Sequence, residues 1–152
     1  KIQTKSVITE HRDLLKKYTS TINILSIDVE EWFHILDDPA VPATKSWGSL
    51  ESRVENNLDQ IMSLLHKQGI KATFFWVGWL AEKHKSLVKK CCDAGHEIAS
   101  HSYNHVLPHK VGSELFREDV RRAKKVLEDL TPFLFRQPIL IFYLILQYTL
   151  KL

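Results

Sequence analysis

Residues 71–100, KATFFWVGWLAEKHKSLVKKCCDAGHEIAS, contain the pattern that decides the fold class. Lys71–Val77 is rich in residues that favour β-structure and predicts a strand. Residues 79–93 follow helical periodicity and end before Gly95, after which Glu97–Ser100 predicts a second short strand. A strand, a helix and a strand joined in this way form a crossover connection, so the two strands are expected to be parallel.

The alternation of strand and helix extends upstream of this unit. The apolar run Ile22–Ile27 predicts a buried parallel strand that ends at Asp28. Apolar residues within the segment 50–65 then recur at helical spacing, and Gly69 is expected to end that helix. This upstream part therefore adds one strand and one helix to the same pattern.

Downstream, the segment 113–130 predicts an amphipathic helix. Its inward residues are expected to be Phe116, Val120, Ala123, Leu127 and Leu130. Phe133–Phe135 is a candidate fourth strand. The order of these elements predicts an α/β protein with parallel strands and crossover helices, whose functional residues lie at the carboxyl ends of the strands.

The composition is that of an ordinary globular domain. The chain has 152 residues, 44% of them hydrophobic and 26% charged, which is enough for one domain with its own core. The net charge of +3 is not gathered into a basic stripe with interleaved aromatic residues, so nucleic acid is not an expected partner. The apolar segment 139–152 is shorter than the roughly 20 residues that cross a bilayer, so no transmembrane span is predicted.

We predict three segments along the chain. Residues 1–20 are polar and form an N-terminal appendage, residues 21–138 carry the domain, and residues 139–152 form a divergent apolar tail. The start of the chain is charged and lacks the apolar segment of a secretory signal, which favours a cytoplasmic location.

Two histidines directly follow the strand predicted to end at Ser100, since residues 101–105 read HSYNH. On a helical turn, residues four apart face the same side, so the imidazoles of His101 and His105 could share one metal ion. Taken alone, this spacing is equally typical of surface or capping histidines.

Two carboxylates lie at the end of the first predicted strand. In an extended chain the side chains of Asp28 and Glu30 point to one side, and Val29 points to the other. One carboxylate and two histidines form a common hydrolytic metal site that leaves coordination positions open for water and substrate. A second carboxylate beside them can act as a general base. The alternative is that Asp28 and Glu30 solvate or cap the end of the strand.

Four motifs resemble, in order and spacing, the opening motifs of polysaccharide deacetylases, the NodB-like members of carbohydrate esterase family 4. They are SIDVEEWFH (Ser26–His34), KATFFWVGWLAEKH (Lys71–His84), GHEIASHSYNH (Gly95–His105) and FRQP (Phe135–Pro138). The first motif is similar to that of a bacterial subgroup associated with exopolysaccharide loci. The resemblance covers about the first half of a family domain. It implies a partial (β/α) barrel and the hydrolysis of N-acetyl groups on an amino-sugar polysaccharide, which releases acetate.

The resemblance also implies a role for each site residue. Asp28 would be the catalytic base that takes a proton from water. Glu30, His101 and His105 would hold a divalent metal ion, expected to be Zn²⁺, with Glu30 standing where many relatives carry Asp. Arg136 would pair with Asp28 and keep it ionised, because a neighbouring cation lowers the pKa of a carboxyl group.

Four residues near these motifs have competing interpretations. The aromatic residues Trp32 and Phe33, together with His34, either line a sugar cleft or pack in the core. Glu97 either belongs to a turn that leads into its strand or supports a ligand histidine from behind.

Beyond Pro138 the chain departs from the family pattern, because the acidic motif and the general-acid histidine that relatives carry later are not found in residues 139–152. We expect a truncated or frame-shifted end and little or no deacetylase activity from this chain alone. Two other hypotheses remain. A non-catalytic half domain would bind a sugar or a partner without turnover, whereas a different metal hydrolase would act on small non-sugar amides.

Overall fold

The computed structural model describes residues 23–36 and 39–131. Within them, three strands form one parallel sheet in the order β1-β2-β3. The strands are β1 (Ser26–Val29), β2 (Thr73–Trp76) and β3 (Glu97–Ser100). The predicted α/β class with parallel strands is therefore confirmed.

Helices connect these strands and cover the sheet. The α-helices in the described residues are α1 (Val54–Gln68), α2 (Gly78–Lys83), α3 (Lys85–Asp93), α4 (Pro108–Val111) and α5 (Ser113–Leu130), and the two 3-10 helices are Trp32–His34 and Thr44–Ser49. None of the helices in this part of the chain is both long and apolar enough to cross a membrane.

The hydrophobic core lies between one face of the sheet and the helices. Val29 of β1 and Trp76 of β2 are register partners, and both are buried, with 4% and 0% exposure. They belong to one cluster with Leu58 of α1, Val88 of α3 and Leu127 of α5. Because side chains alternate along a strand, the residues between these core positions point to the opposite face. That alternation leaves Asp28 on the face away from the helices.

The first strand differs from its prediction, which spanned Ile22–Ile27. It begins at Ser26 and runs through Asp28 to Val29, and Ile24 is 85% exposed. The pairing with β2 sets these bounds, since β2 begins at Thr73 and its partner in the register is Ser26. Asp28 therefore lies inside the strand, one residue before its end, rather than just after it.

The helix predicted over residues 79–93 is in fact two helices that meet at His84. The backbone N–H of His84 donates the last hydrogen bond of α2 to the carbonyl of Leu80, and the carbonyl of His84 accepts from the amides of Leu87 and Val88 in α3. No proline or glycine marks this junction, so periodicity alone could not reveal it.

The other predicted elements that fall on described residues agree with the structure. β3 and α5 match the predicted segments, and β2 lies within its predicted segment. α1 begins at Val54, four residues after the first residue of the predicted pattern, and ends where Gly69 adopts a left-handed backbone with φ +64°. Of the predicted inward residues of α5, Ala123 and Leu127 are fully buried, whereas Phe116, Val120 and Leu130 are half-buried.

Several predictions lie outside the described residues. They are the fourth strand at Phe133–Phe135, the side chain of Arg136, the appendage 1–20 and the tail 139–152. The division of the chain into three segments stays a prediction.

Candidate functional site

The carboxylates predicted as site residues lie at the carboxyl end of β1. Asp28 is within the strand and Glu30 follows it, with the buried Val29 between them. Their side chains are 23% and 34% exposed, so both retain access to solvent at this edge of the sheet.

The two histidines come from the loop that follows β3, which extends the pairing with β2 by one hydrogen bond from the His101 amide to the Trp76 carbonyl (2.8 Å). Residues 101–105 do not form the helical turn that the spacing argument assumes. Ser102 and His105 instead have φ of 61° and 52°, in the left-handed region that side chains rarely adopt. The rings of His101 and His105 still face each other, with centroids 4.5 Å apart. The prediction that they meet is thus fulfilled by a different backbone.

The structure brings the four described site residues together. Asp28 Oδ2 lies 4.0 Å from His101 Nε2, and Glu30 Oε2 lies 3.4 Å from His105 Nδ1. Glu30, His101 and His105 each offer one ligand atom, and these atoms all lie within 4.8 Å of one another. Asp28 stands beside this trio rather than within it. A group of this composition could hold a metal ion and leave coordination positions open.

Burial sets the charge state of the site. Burial and, to a smaller extent, the neighbouring His105 lower the pKa of His101 to about 4, while Asp28 acts in the opposite direction. Burial also raises the pKa of Glu30, an effect that His105 opposes and Asp28 reinforces. His101 is therefore a neutral imidazole near neutral pH, the form that offers a lone pair to a metal.

His34 fixes the orientation of His105. Its backbone carbonyl lies 2.7 Å from His105 Nδ1. A carbonyl can only accept a hydrogen bond, so His105 Nδ1 carries the proton and its Nε2 keeps the free lone pair. This arrangement is the usual way in which a ligand histidine is held in one tautomer.

The ring of His34 is itself locked in the interior. It is 2% exposed, and its Nδ1 accepts a hydrogen bond of 3.1 Å from the Glu31 amide. The centroid of the ring lies 4.4 Å from that of Trp47. Burial, with smaller contributions from His105 and His101, lowers the pKa of His34 to about 3. His34 and Phe33, which is 1% exposed, are thus core residues, whereas Trp32 is 43% exposed beside the site.

The support role considered for Glu97 is wrong. Glu97 opens β3, at the end of the strand away from His101, and its carboxylate accepts a hydrogen bond from the Thr73 hydroxyl.

Sequence reasoning missed two residues that shape this site, Glu31 and Asp119, and it missed the contact between the His34 carbonyl and His105. Glu31 is 4% exposed and accepts hydrogen bonds from the amides of Arg53 and Val54 at the start of α1. Asp119 is 6% exposed and contacts the histidine loop. It interrupts the apolar face of α5, and a charged residue on such a face is a signal that could have identified it.

A family model described as polysaccharide deacetylase matches residues 37–142, more than half of the chain. The chain belongs to the polysaccharide deacetylase family. Among curated relatives, a peptidoglycan-N-acetylglucosamine deacetylase of Bacillus cereus is 35% identical over 81 residues, which make up 52% of this chain and 38% of the relative. A peptidoglycan deacetylase of Helicobacter pylori is 27% identical over 77 residues, which are 51% of this chain and 26% of that protein. The chain thus spans well under half the length of these relatives.

Solved structures of polysaccharide deacetylases share the fold. A family 4 pseudoenzyme from Bacillus anthracis has a TM-score of 0.56 at 23% identity, covering 76% of this chain and 33% of that one. A peptidoglycan deacetylase of Bacillus subtilis has a TM-score of 0.54 at 16% identity, covering 76% of this chain and 46% of that one. The predicted family and its partial (β/α) barrel are confirmed, whereas the exopolysaccharide subgroup stays a prediction.

Proposed function

We propose that this chain carries the metal-binding part of a deacetylase active site, in which Glu30, His101 and His105 hold a divalent ion and Asp28 acts as the base. The observation that carries the proposal is the cluster of one carboxylate and two imidazoles, with ligand atoms within 4.8 Å of one another. It lies at the carboxyl end of parallel strands, where (β/α) barrels carry their chemistry.

The donor set fits zinc. Zn²⁺ is commonly bound in hydrolytic sites by two histidines and one carboxylate, with water in the remaining position. The pKa of His101 is lowered to about 4, so a proton does not compete for its lone pair near neutral pH. The carbonyl of His34 orients His105 for the same purpose.

When bound, such an ion supplies Lewis-acid chemistry, because it polarises a carbonyl and makes water more acidic. Asp28 lies outside the ligand trio but adjoins it, with Oδ2 at 4.0 Å from His101 Nε2. From there its carboxylate can take a proton from the water that adds to an acetamide carbonyl. The carbon–nitrogen bond then breaks as the nitrogen takes up the proton that the carboxylate received, and the products are acetate and a free amine. Arg136, which lies outside the described residues, stays the predicted ion partner of Asp28.

The substrate that we propose is an acetylated amino sugar within a polysaccharide. Support comes from the family and from the names of relatives, several of which are peptidoglycan deacetylases. Trp32 is consistent with this class, because its exposed ring lies just after the two carboxylates and an aromatic face suits a sugar ring. The side chain is held by a hydrogen bond of 3.2 Å from Nε1 to the Glu51 carbonyl.

The first test is zinc stoichiometry and affinity, measured by calorimetry and elemental analysis on the chain freed of metal. We expect one zinc per chain, and loss of this site in the double variant His101→Ala/His105→Ala. The matched control is His66→Ala/His109→Ala, which removes two exposed histidines and should bind zinc as the parent does. Absence of zinc from the parent would contradict the proposal.

Asp28→Asn separates the base from the ligands. It should keep zinc affinity close to that of the parent, whereas Glu30→Gln should weaken it. If Asp28→Asn abolishes zinc binding, Asp28 is a ligand and the assigned roles are wrong.

Acetate release from an acetylated chito-oligosaccharide then distinguishes an enzyme from a non-catalytic half domain, for which zinc would bind without turnover. Activity on small amides alone would favour a different hydrolase.

A further inference from the structure

The loop of residues 101–105 has a shape that its own sequence does not favour. Ser102 and His105 both have positive φ, although neither is a glycine. Such conformations persist where the surrounding structure holds them in place. The distance of 4.5 Å between the rings of His101 and His105 depends on this backbone.

One buried carboxylate accepts hydrogen bonds from the two residues in the middle of this loop. Asp119 of α5 is 6% exposed, and its Oδ2 accepts a hydrogen bond of 2.6 Å from the Tyr103 amide. Its Oδ1 accepts from the amide of Asn104 (2.9 Å) and from Nδ2 of the same residue (2.8 Å). A buried carboxylate is stable only when several donors replace water, and here three donors from two consecutive residues do so.

We propose that Asp119 is a positioning residue that sets the separation of the His101 and His105 imidazoles, and so the metal affinity of the site. The effect on metal affinity rests on the proposed function, whereas the effect on the separation of the two imidazoles does not. Asp119 acts through the backbone of Tyr103 and Asn104, which lie between the two histidines.

The opposite side of the loop is held independently. The amides of Gly78 and Trp79, at the start of α2, donate to the carbonyls of Ser102 (2.8 Å) and Tyr103 (3.0 Å). The Tyr103 ring packs so closely on Gly78 that a Cβ added there would lie 2.9 Å from its Cδ2. The guanidinium of Arg122 covers the ring from 3.6 Å. These contacts fix the carbonyls and the tyrosine ring, whereas Asp119 fixes the amides.

Asp119→Asn is the sharpest substitution because it keeps the shape of the side chain. The carboxylate offers acceptors on both oxygens, whereas the amide replaces one oxygen with an NH₂ group. That group must face an N–H of Tyr103 or Asn104, so two donors meet and at least one hydrogen bond is lost. The control is Leu127→Ala, which removes a fully buried apolar side chain from the same helix. This substitution destabilises the fold but removes no hydrogen bond to the loop.

The experiment compares zinc affinity in the parent, Asp119→Asn and Leu127→Ala at a temperature at which all three are folded. We expect Asp119→Asn to weaken zinc binding by about 10- to 100-fold, the usual effect of removing a group that orients a ligand. Leu127→Ala should lower the melting temperature and leave zinc affinity unchanged. Zinc affinity of Asp119→Asn equal to that of the parent would overturn the inference, as would an equal loss in the control.

A second readout needs no metal. In the zinc-free parent, NMR should find the amides of Tyr103 and Asn104 protected from exchange and a nuclear Overhauser contact between the His101 and His105 rings. Asp119→Asn should lose both, and Leu127→Ala should keep both. If the parent binds no zinc, the proposed function fails, while this comparison still decides the role of Asp119.

Asn104→Ala is the alternative test variant if Asp119→Asn does not fold. It removes only the bond from Nδ2 to Oδ1 of Asp119 and leaves both backbone bonds in place. We expect it to weaken zinc binding to a smaller extent and to increase exchange of the Tyr103 amide. No change in either quantity would overturn the inference.

Discussion

Three carboxylates within four residues have different environments and hence different roles. Asp28 and Glu30 are partly exposed beside the histidines, whereas Glu31 turns inward and is 4% exposed. Its Oε1 accepts hydrogen bonds from the Ser52 hydroxyl (2.5 Å) and the Val54 amide (3.1 Å). Glu31 thus satisfies donors at the start of α1 and joins the helix to the chain segment that carries Glu30.

Glu31→Ala should lower the free energy of unfolding by about 2 kcal/mol, because it removes a helix cap made of charge-assisted hydrogen bonds. Urea denaturation measures the change. The control is Glu51→Ala, since the side chain of Glu51 is 79% exposed in a surface ion pair with Arg53. That substitution should change stability by less than about 1 kcal/mol. Equal losses in the two variants would argue against the capping role.

His96 makes stability depend on pH. It is 6% exposed, its Nδ1 accepts a hydrogen bond of 3.2 Å from the Ala72 amide, and burial together with Lys71 lowers its pKa below the ordinary 6.5. The folded protein therefore keeps this imidazole neutral at a pH at which the unfolded chain already binds a proton. The contribution of His96 to the free energy of unfolding is complete above the ordinary pKa of histidine and declines as the pH falls below that value.

We expect the free energy of unfolding, measured with urea and a chelator present, to fall less steeply on acidification in His96→Gln than in the parent. His66→Gln, a substitution of an exposed histidine on α1, should retain the slope of the parent. The range from about pH 7.5 to about pH 5.5 covers the titration of an ordinary histidine. Parallel curves for His96→Gln and the parent would rule out this contribution.

At the scale of elements, the sequence was informative wherever a local pattern decides the structure. The apolar periodicity of residues 113–130 and the short β-rich run of residues 97–100 predicted α5 and β3 correctly. The spacing argument assumed a helical turn for the histidine loop, which does not form because the loop conformation depends on Asp119 and on the start of α2. Asp119 lies 15 residues after Asn104, and the start of α2 lies more than 20 residues before the loop. The spacing of the histidines therefore carries no information about either partner.

Gly69 provides a test of an element boundary. Its φ of +64° ends α1, and its amide donates to the carbonyl of His66 (3.1 Å). A Cβ added there would meet nothing within 4 Å, so a substitution acts through backbone strain alone. Gly69→Ala should therefore destabilise the protein by about 1 kcal/mol, and Gly69→Asn by less, because Asn tolerates the left-handed region. Equal urea midpoints for the parent and both variants would contradict this explanation.

For the molecule as a whole, the proposed metal site connects distant parts of the chain. Glu30 follows β1, and His101 and His105 follow β3, the two outer strands of the described sheet. A ligand that joins them binds the folded state and has no preformed site in the unfolded chain. Its binding free energy therefore adds to the stability of the fold.

Zinc should raise the free energy of unfolding of the parent by about 2.7 kcal/mol when its free concentration is 100 times the dissociation constant, as linkage requires for one site. The melting temperature should rise with zinc concentration and return to its starting value when a chelator is added. His101→Ala/His105→Ala should show no such rise, while His66→Ala/His109→Ala should follow the parent. A zinc-dependent rise that persists in His101→Ala/His105→Ala would mean that the ion stabilises the fold from another place, and the cluster at the end of the strands would lose its proposed role.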